Sequence, residues 1–180
     1  MSGLIMPEPN ASVLERRETI VADLRAIVPG EGVVDTTNAM RVFETDGLTA
    51  HRALPLVVVL PETVEQVSQI LRYCHENEIR VVPRGAGTSL SGGSMPLVDA
   101  VLLGMSRFNR ILEIDYPNRV AVVQPGVTNL GITKAVEHEG FYYAPDPSSQ
   151  IACSIGGNVA ENAGGVHCLK YGLTANNLSL

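Results

Sequence analysis

The sequence predicts an α+β fold of two lobes, a small parallel β-α-β unit followed by a lobe with antiparallel strands. Three observations carry this. Two β-branched apolar runs, residues 54–60 and 79–82, flank a segment of helical periodicity, and a crossover of that length makes the two strands parallel. Two later runs, 110–115 and 119–124, flank Tyr116, Pro117 and Asn118, a turn signal that predicts a hairpin. The stretch VPRGAGTSLSGG, residues 82–93, leaves the carboxyl end of the second strand, which is where α/β sheets bind ligands. The expected organisation is an N-terminal helix and linker over 1–42, a first lobe over 43–107 and a second over 108–180.

Each element has its own justification. Ser12 and Glu15 have the capping-box spacing, and Leu14, Val21, Leu24 and Val28 make one apolar stripe behind them; Pro29 and Gly30 stop this helix. Residues 32–52 are mixed and polar, with a loop at Val42 and Phe43 and a turn at Asp46 and Gly47. The run 54–60 suits a strand covered on both faces, with Pro55 at its start. Thr63 and Gln66 form another capping box, and Val64, Val67, Leu71 and Cys74 share a helical face. Residues 98–105 are a third strand. Residues 128–139 read as a helix closed by Gly140, and 142–149 as a rigid polar turn.

Composition excludes several classes of function. Of 180 residues, 19 are acidic and 13 basic, without a basic run, so nucleic acid is not expected as a partner. No apolar stretch reaches the roughly 18 residues of a membrane span. Met1 to Val13 has no basic residue ahead of its apolar ones, unlike a signal peptide. Cys74, Cys153 and Cys168 are an odd number without CxxC spacing, which suits reduced thiols in a cytoplasmic protein.

The 82–93 stretch has the chemistry of an anion nest. Its backbone N–H groups can converge on a charge, with the hydroxyls of Thr88, Ser89 and Ser91 as further donors. It is neither of two familiar phosphate loops. Gly93 stands where a P-loop needs lysine, and Leu90 fills the third glycine of a dinucleotide fingerprint. A plain solvated Gly/Ser turn is the alternative. Downstream, Gly156-Gly157 and Gly164-Gly165 predict a flat or bulky group against the backbone, or else close packing of a helix on a sheet.

Together these motifs resemble a known family. PRGAGTSLSGG at 83–93, PDP at 145–147, SIGGNVAENAGG at 154–165 and CLKYG at 168–172 are similar to the FAD-linked oxidases of the vanillyl-alcohol-oxidase/PCMH type. Within that family the likeness is to glycolate oxidase D subunits and FAD-dependent D-lactate dehydrogenases, and it runs from about Phe43 onward. The resemblance implies a two-lobed PCMH-type FAD-binding domain, incomplete at its C-terminus, with the flavin between the lobes. Pro83, Arg84, Gly85, Ala86, Gly87, Thr88 and Ser89 would wrap the pyrophosphate, with Gly92 closing the loop. Ser148, Ser149, Cys153, Ser154, Gly156 and Gly157 would lie along the ribityl chain and isoalloxazine, with Pro145 also among the cofactor-binding residues. Asn162, Ala163, Gly164 and Gly165 would complete the cradle.

The resemblance further implies oxidation of a 2-hydroxy acid, of glycolate or D-lactate type, by hydride transfer to FAD. Some relatives attach FAD through a histidine; Thr88 stands in that place, so non-covalent FAD is expected. Relatives continue for hundreds of residues into a substrate-binding cap, so the chain is expected to be a fragment whose catalytic residues lie elsewhere. A non-catalytic FAD-binding module completed by a partner is the other reading. A partner subunit with an electron-transfer role, and through it a peripheral place at the membrane, are also implied. No metal is expected: His51, His75, His138 and His167 lack ligand spacing. Among them His167 lies nearest the flavin by motif, with Lys170 and Tyr171 as candidate ring-edge contacts. Arg84 either neutralises phosphate or pairs with an acidic neighbour.

Overall fold

Valine dominates the middle of the sheet because both of its faces are covered. The computed structural model describes residues 6–179. Strands β1 (Val33–Val34), β2 (Val57–Val59), β3 (Arg80–Arg84) and β4 (Ala100–Gly104) form one sheet in the order β1-β2-β4-β3. The β2-to-β3 crossover joins parallel strands, as expected, but they are not neighbours. β4 enters between them, and Leu102 faces both Val58 and Val82. β3 is therefore an edge strand, and its Pro83, lacking an N–H, sits where a ladder donor is least missed.

The two faces alternate as strand geometry requires. Val57, Val59, Val101 and Leu103 pack under helices α2 (Arg17–Ile27) and α4 (Val64–Glu76). Val58 and Leu102 pack on the other side against Met40, at the end of the short helix α3 (Thr37–Met40), with Phe43 beside it. Thus β1 joins the sheet of the first lobe and α2 packs on it, although both come from the segment expected as helix and linker.

Two helix faces differ from expectation. The first helical segment is α1 (Ala11–Glu15), capped by Asn10, whose Oδ1 accepts the Ser12 N–H at 3.1 Å. Asn10 takes the cap two residues ahead of Ser12, so the expected Ser12–Glu15 box is not formed. The helix breaks at Arg16 (φ −90°, ψ 8°) before α2. That break offsets the two faces, so Val13 is buried and Leu14 is exposed. In α4 the Thr63–Gln66 capping box is present. At about 100° per residue, Ile70 and Cys74 fall on one side of Val67, and Val64 and Leu71 on the other. The sheet meets the first side, leaving Val64 and Leu71 exposed.

The second lobe begins with the predicted hairpin, β5 (Ile111–Asp115) and β6 (Val120–Val123), which are antiparallel. Its inner side chains pack with Val127, Ile132 and Ile155. Helix α5 (Asn129–Val136) is capped by Thr128 and followed by a 3-10 turn that Gly140 closes at φ 79°. Helix α6 (Ile155–Glu161) is capped by Ser154. The two caps touch, Thr128 bridging to Ser154, with Ile155 N–H donating to the Val127 carbonyl at 2.8 Å. A short helix α7 (Cys168–Tyr171) and a 3-10 turn over Thr174–Asn177 follow.

Candidate functional site: a cleft between two glycine-rich segments

The first segment leaves β3 and turns through Gly87 (φ 72°) and Gly92 (φ 82°), left-handed angles that only glycine adopts without strain. Its shape is fixed from beneath by residues 43–47. The buried Asp46 carboxylate accepts the Gly92 N–H at 3.0 Å through Oδ2 and the Leu48 N–H at 3.0 Å through Oδ1. Gly47 donates its N–H to the Ser89 carbonyl at 2.9 Å, and a Cβ there would strike the Thr88 and Ser89 carbonyls.

Arg84 is the second support. Its Nη1 donates to the Thr45 carbonyl at 2.8 Å and lies 3.4 Å from the Phe43 and Ser94 carbonyls, with the Phe43 ring 5.7 Å from Cζ. Burial pulls the guanidinium pKa below its ordinary value, while the nearby Asp46 charge raises it. The guanidinium thus ties the loop to residues 43–45 through carbonyls, with Asp46 as its acidic neighbour. A Cβ at Gly87 would collide with that guanidinium.

The second segment approaches from the other lobe. A Cβ on Gly85 would collide with the Ser154 hydroxyl, and one on Gly156 would lie 2.8 Å from Pro125 Cβ and 3.0 Å from its carbonyl. Gly157 is different: its added Cβ would meet only Ser154 Oγ, at 3.3 Å. Gly85 and Gly156 are therefore needed for contact between segments of this chain, and Gly157 is not.

Between the segments lies a cleft of about 820 Å³. Of the residues expected at the site, Pro83, Arg84, Gly85, Ala86, Gly87, Thr88 and Ser89 line one wall. Ser149, Cys153, Ser154, Gly156, Gly157 and Ala163 line the other. Six lie off the cleft's lining. Gly92 is turned onto Asp46, and Ser148 is exposed. The Pro145 carbonyl accepts from Asn129 Nδ2 at 2.8 Å. Asn162 closes α6 in a left-handed conformation (φ 49°) and accepts the Ala175 N–H. Gly164 fits against Leu173, and Gly165 against Asp146.

His167, Lys170 and Tyr171 are not part of the cleft lining either. His167 Nδ1 is 2.8 Å from Asp146 Oδ2, and its ring sits beside Tyr142 and Tyr171. Lys170 lies 5.0 Å from the centre of the Tyr171 ring.

The structure adds Ser94, Met105, Pro125, Asn158 and Glu161 to the lining. Ser94 directly follows the first motif and Glu161 lies within the second, so both could have been found by following them. Pro125 has no local signal. The Ser94 hydroxyl is buried on this wall and has no hydrogen-bond partner among the described residues, a donor that asks for a ligand acceptor. Backbone N–H groups, hydroxyls and absent side chains suit the phosphates and flat ring of FAD. Among the described residues no three His, Cys, Asp or Glu side chains gather to hold a metal ion, and no helix is long and apolar enough to cross a membrane.

Comparison with known proteins agrees with this chemistry. Residues 55–179 match the FAD binding domain family model. Over 162 residues the chain is 59% identical to the glycolate oxidase subunit GlcD of Escherichia coli (strain K12), covering 90% of this chain and 32% of that protein. It is 36% identical to the mitochondrial D-2-hydroxyglutarate dehydrogenase of Bos taurus, covering 86% of this chain and 28% of that one. The fold also matches p-cresol methylhydroxylase with a TM-score of 0.72 at 20% identity, over 89% of this chain and 32% of that structure. The chain thus spans about a third of the length of the curated relatives it matches. With a family model covering most of its length and a cleft of matching chemistry, the chain belongs to the FAD binding domain family.

Proposed function

We propose that the cleft holds FAD non-covalently and that the chain is the cofactor-holding part of a 2-hydroxy-acid oxidoreductase of glycolate or D-lactate type. The observation that carries the reading is the pairing of a left-handed glycine loop with Gly157, a glycine that no internal contact requires, across one cleft. Backbone N–H groups of residues 85–89 bind the pyrophosphate, and the Ser94 hydroxyl supplies a further donor. Gly156 and Gly157 keep the second wall thin, so that a ring can lie against the main chain and water is excluded from that side. Thr88 offers no nucleophile of the histidine kind, so the cofactor is held by contacts alone. When bound, the flavin supplies the redox chemistry while the protein supplies binding, orientation and electrostatics.

The lobes divide near residue 107, with the cofactor between them. The groups that recognise and deprotonate the hydroxy acid belong to polypeptide outside these residues, in keeping with relatives about three times as long. Electrons leave through a partner subunit, in keeping with the subunit name of the bacterial relative, and such a partner would set any association with a membrane surface.

The test is the visible spectrum of the purified chain with and without added FAD. A yellow protein whose flavin is released by acid supports the reading, and a colourless protein that ignores FAD sinks it. Turnover of glycolate or D-lactate with an artificial acceptor by this chain alone would overturn the placement of the catalytic groups elsewhere.

A further inference from the structure

Two of the three hydroxyls that sequence offers to a phosphate, those of Ser89 and Ser91, are already engaged by an anion of the chain itself. Glu161, the last residue of α6, accepts the Ser89 hydroxyl at 2.8 Å through Oε1. It accepts the Ser91 hydroxyl at 2.8 Å through Oε1 and 3.1 Å through Oε2. The Ser91 N–H points at Ser89 Oγ at 3.2 Å, and the two hydroxyl oxygens stand 2.7 Å apart. Among the described residues these are the only hydrogen bonds from the 83–94 loop to residues 149–165. Gly93 lies beside the carboxylate, where an added Cβ would come into ordinary contact with Oε1 at 3.6 Å. Glu161 and Ser91 are exposed, so the carboxylate can turn into water without a buried charge being stranded.

A carboxylate and a phosphate make the same demand, accepting O–H donors without returning one. They also repel one another, so both cannot use the same pair of hydroxyls. From this we infer that Glu161 is a removable stand-in for phosphate: it clasps the two glycine-rich segments across the cleft when no ligand is present. On arrival of a nucleoside diphosphate group, Ser89 and Ser91 exchange the carboxylate for phosphate oxygens, and Glu161 turns outward. The inference rests on the FAD-binding reading above and adds a competitor within the same chain.

The experiment titrates FAD, ADP and riboflavin into the full chain and into Glu161→Gln and Glu161→Ala. Following an exposed charge of this kind, FAD and ADP should bind both variants about 3- to 5-fold more tightly, and the gain should shrink as salt is raised. Riboflavin, which has no phosphate, should bind all three proteins alike. In a Ser89→Ala/Ser91→Ala background, Glu161→Gln should change FAD affinity far less, because the clasp is already gone. Unchanged or weaker FAD binding by both Glu161 variants, with FAD binding intact in the parent, overturns this inference alone. Absence of FAD binding by every protein overturns the cofactor reading and this inference with it.

Discussion

The two glycine-rich segments look alike in sequence and hold their glycines for different reasons. In residues 83–93 the glycines bend the chain: Gly87 and Gly92 are left-handed, and the bends are pinned by Asp46 and Arg84. In residues 154–165 the first pair lies inside a helix, where backbone angles are ordinary and glycine is a cost. There the missing side chains serve approach, with Gly156 nearing Pro125 and Gly157 nearing the cleft. Shape is a property of the first segment, and thinness of the second.

Four substitutions would break or sharpen that contrast. Arg84→Ala should have the largest effect, about 3–4 kcal/mol of stability in a urea titration, because a buried charge is removed and Asp46 and the 43–45 carbonyls are left behind. Gly87→Val comes next, at about 2–3 kcal/mol, with FAD binding lost in a fluorescence titration; normal affinity would mean that loop shape does not govern the site. Gly156→Ala should cost about 1–2 kcal/mol through crowding of Pro125, read as a lowered thermal midpoint. Gly157→Ala is the sharpest of the four although its effect on stability is the smallest. It should stabilise α6 by about 0.5–1 kcal/mol while weakening FAD binding about tenfold. If stability and affinity move together there, the glycine serves packing after all.

Much of the fold was legible because its signals are local. The Thr63–Gln66 capping box, the Tyr116-Pro117-Asn118 turn and the Gly140 stop each act within a few residues, and each is present. Leu14 was misplaced because a single break at Arg16, which no spacing rule marks, offsets two helical faces. The insertion of β4 between β2 and β3 is a long-range choice that no local pattern encodes. At the site, glycine and serine runs pointed to both walls of the cleft. The supports did not show: Asp46 looked like a turn residue and proves to be a buried anchor. Gly164 and Gly165 share a motif with Gly157, yet their space is filled by Leu173 and Asp146.

The anchor at Asp46 also bears on where this unit can be cut. The family match begins at residue 55, but the carboxylate, the Thr45 carbonyl and the Phe43 ring that hold the loop all precede it. A truncation started at that boundary would keep every glycine of the motif and leave the guanidinium without its cradle. The unit that shapes the loop is therefore longer than its sequence signature, and expression trials should begin upstream of Phe43.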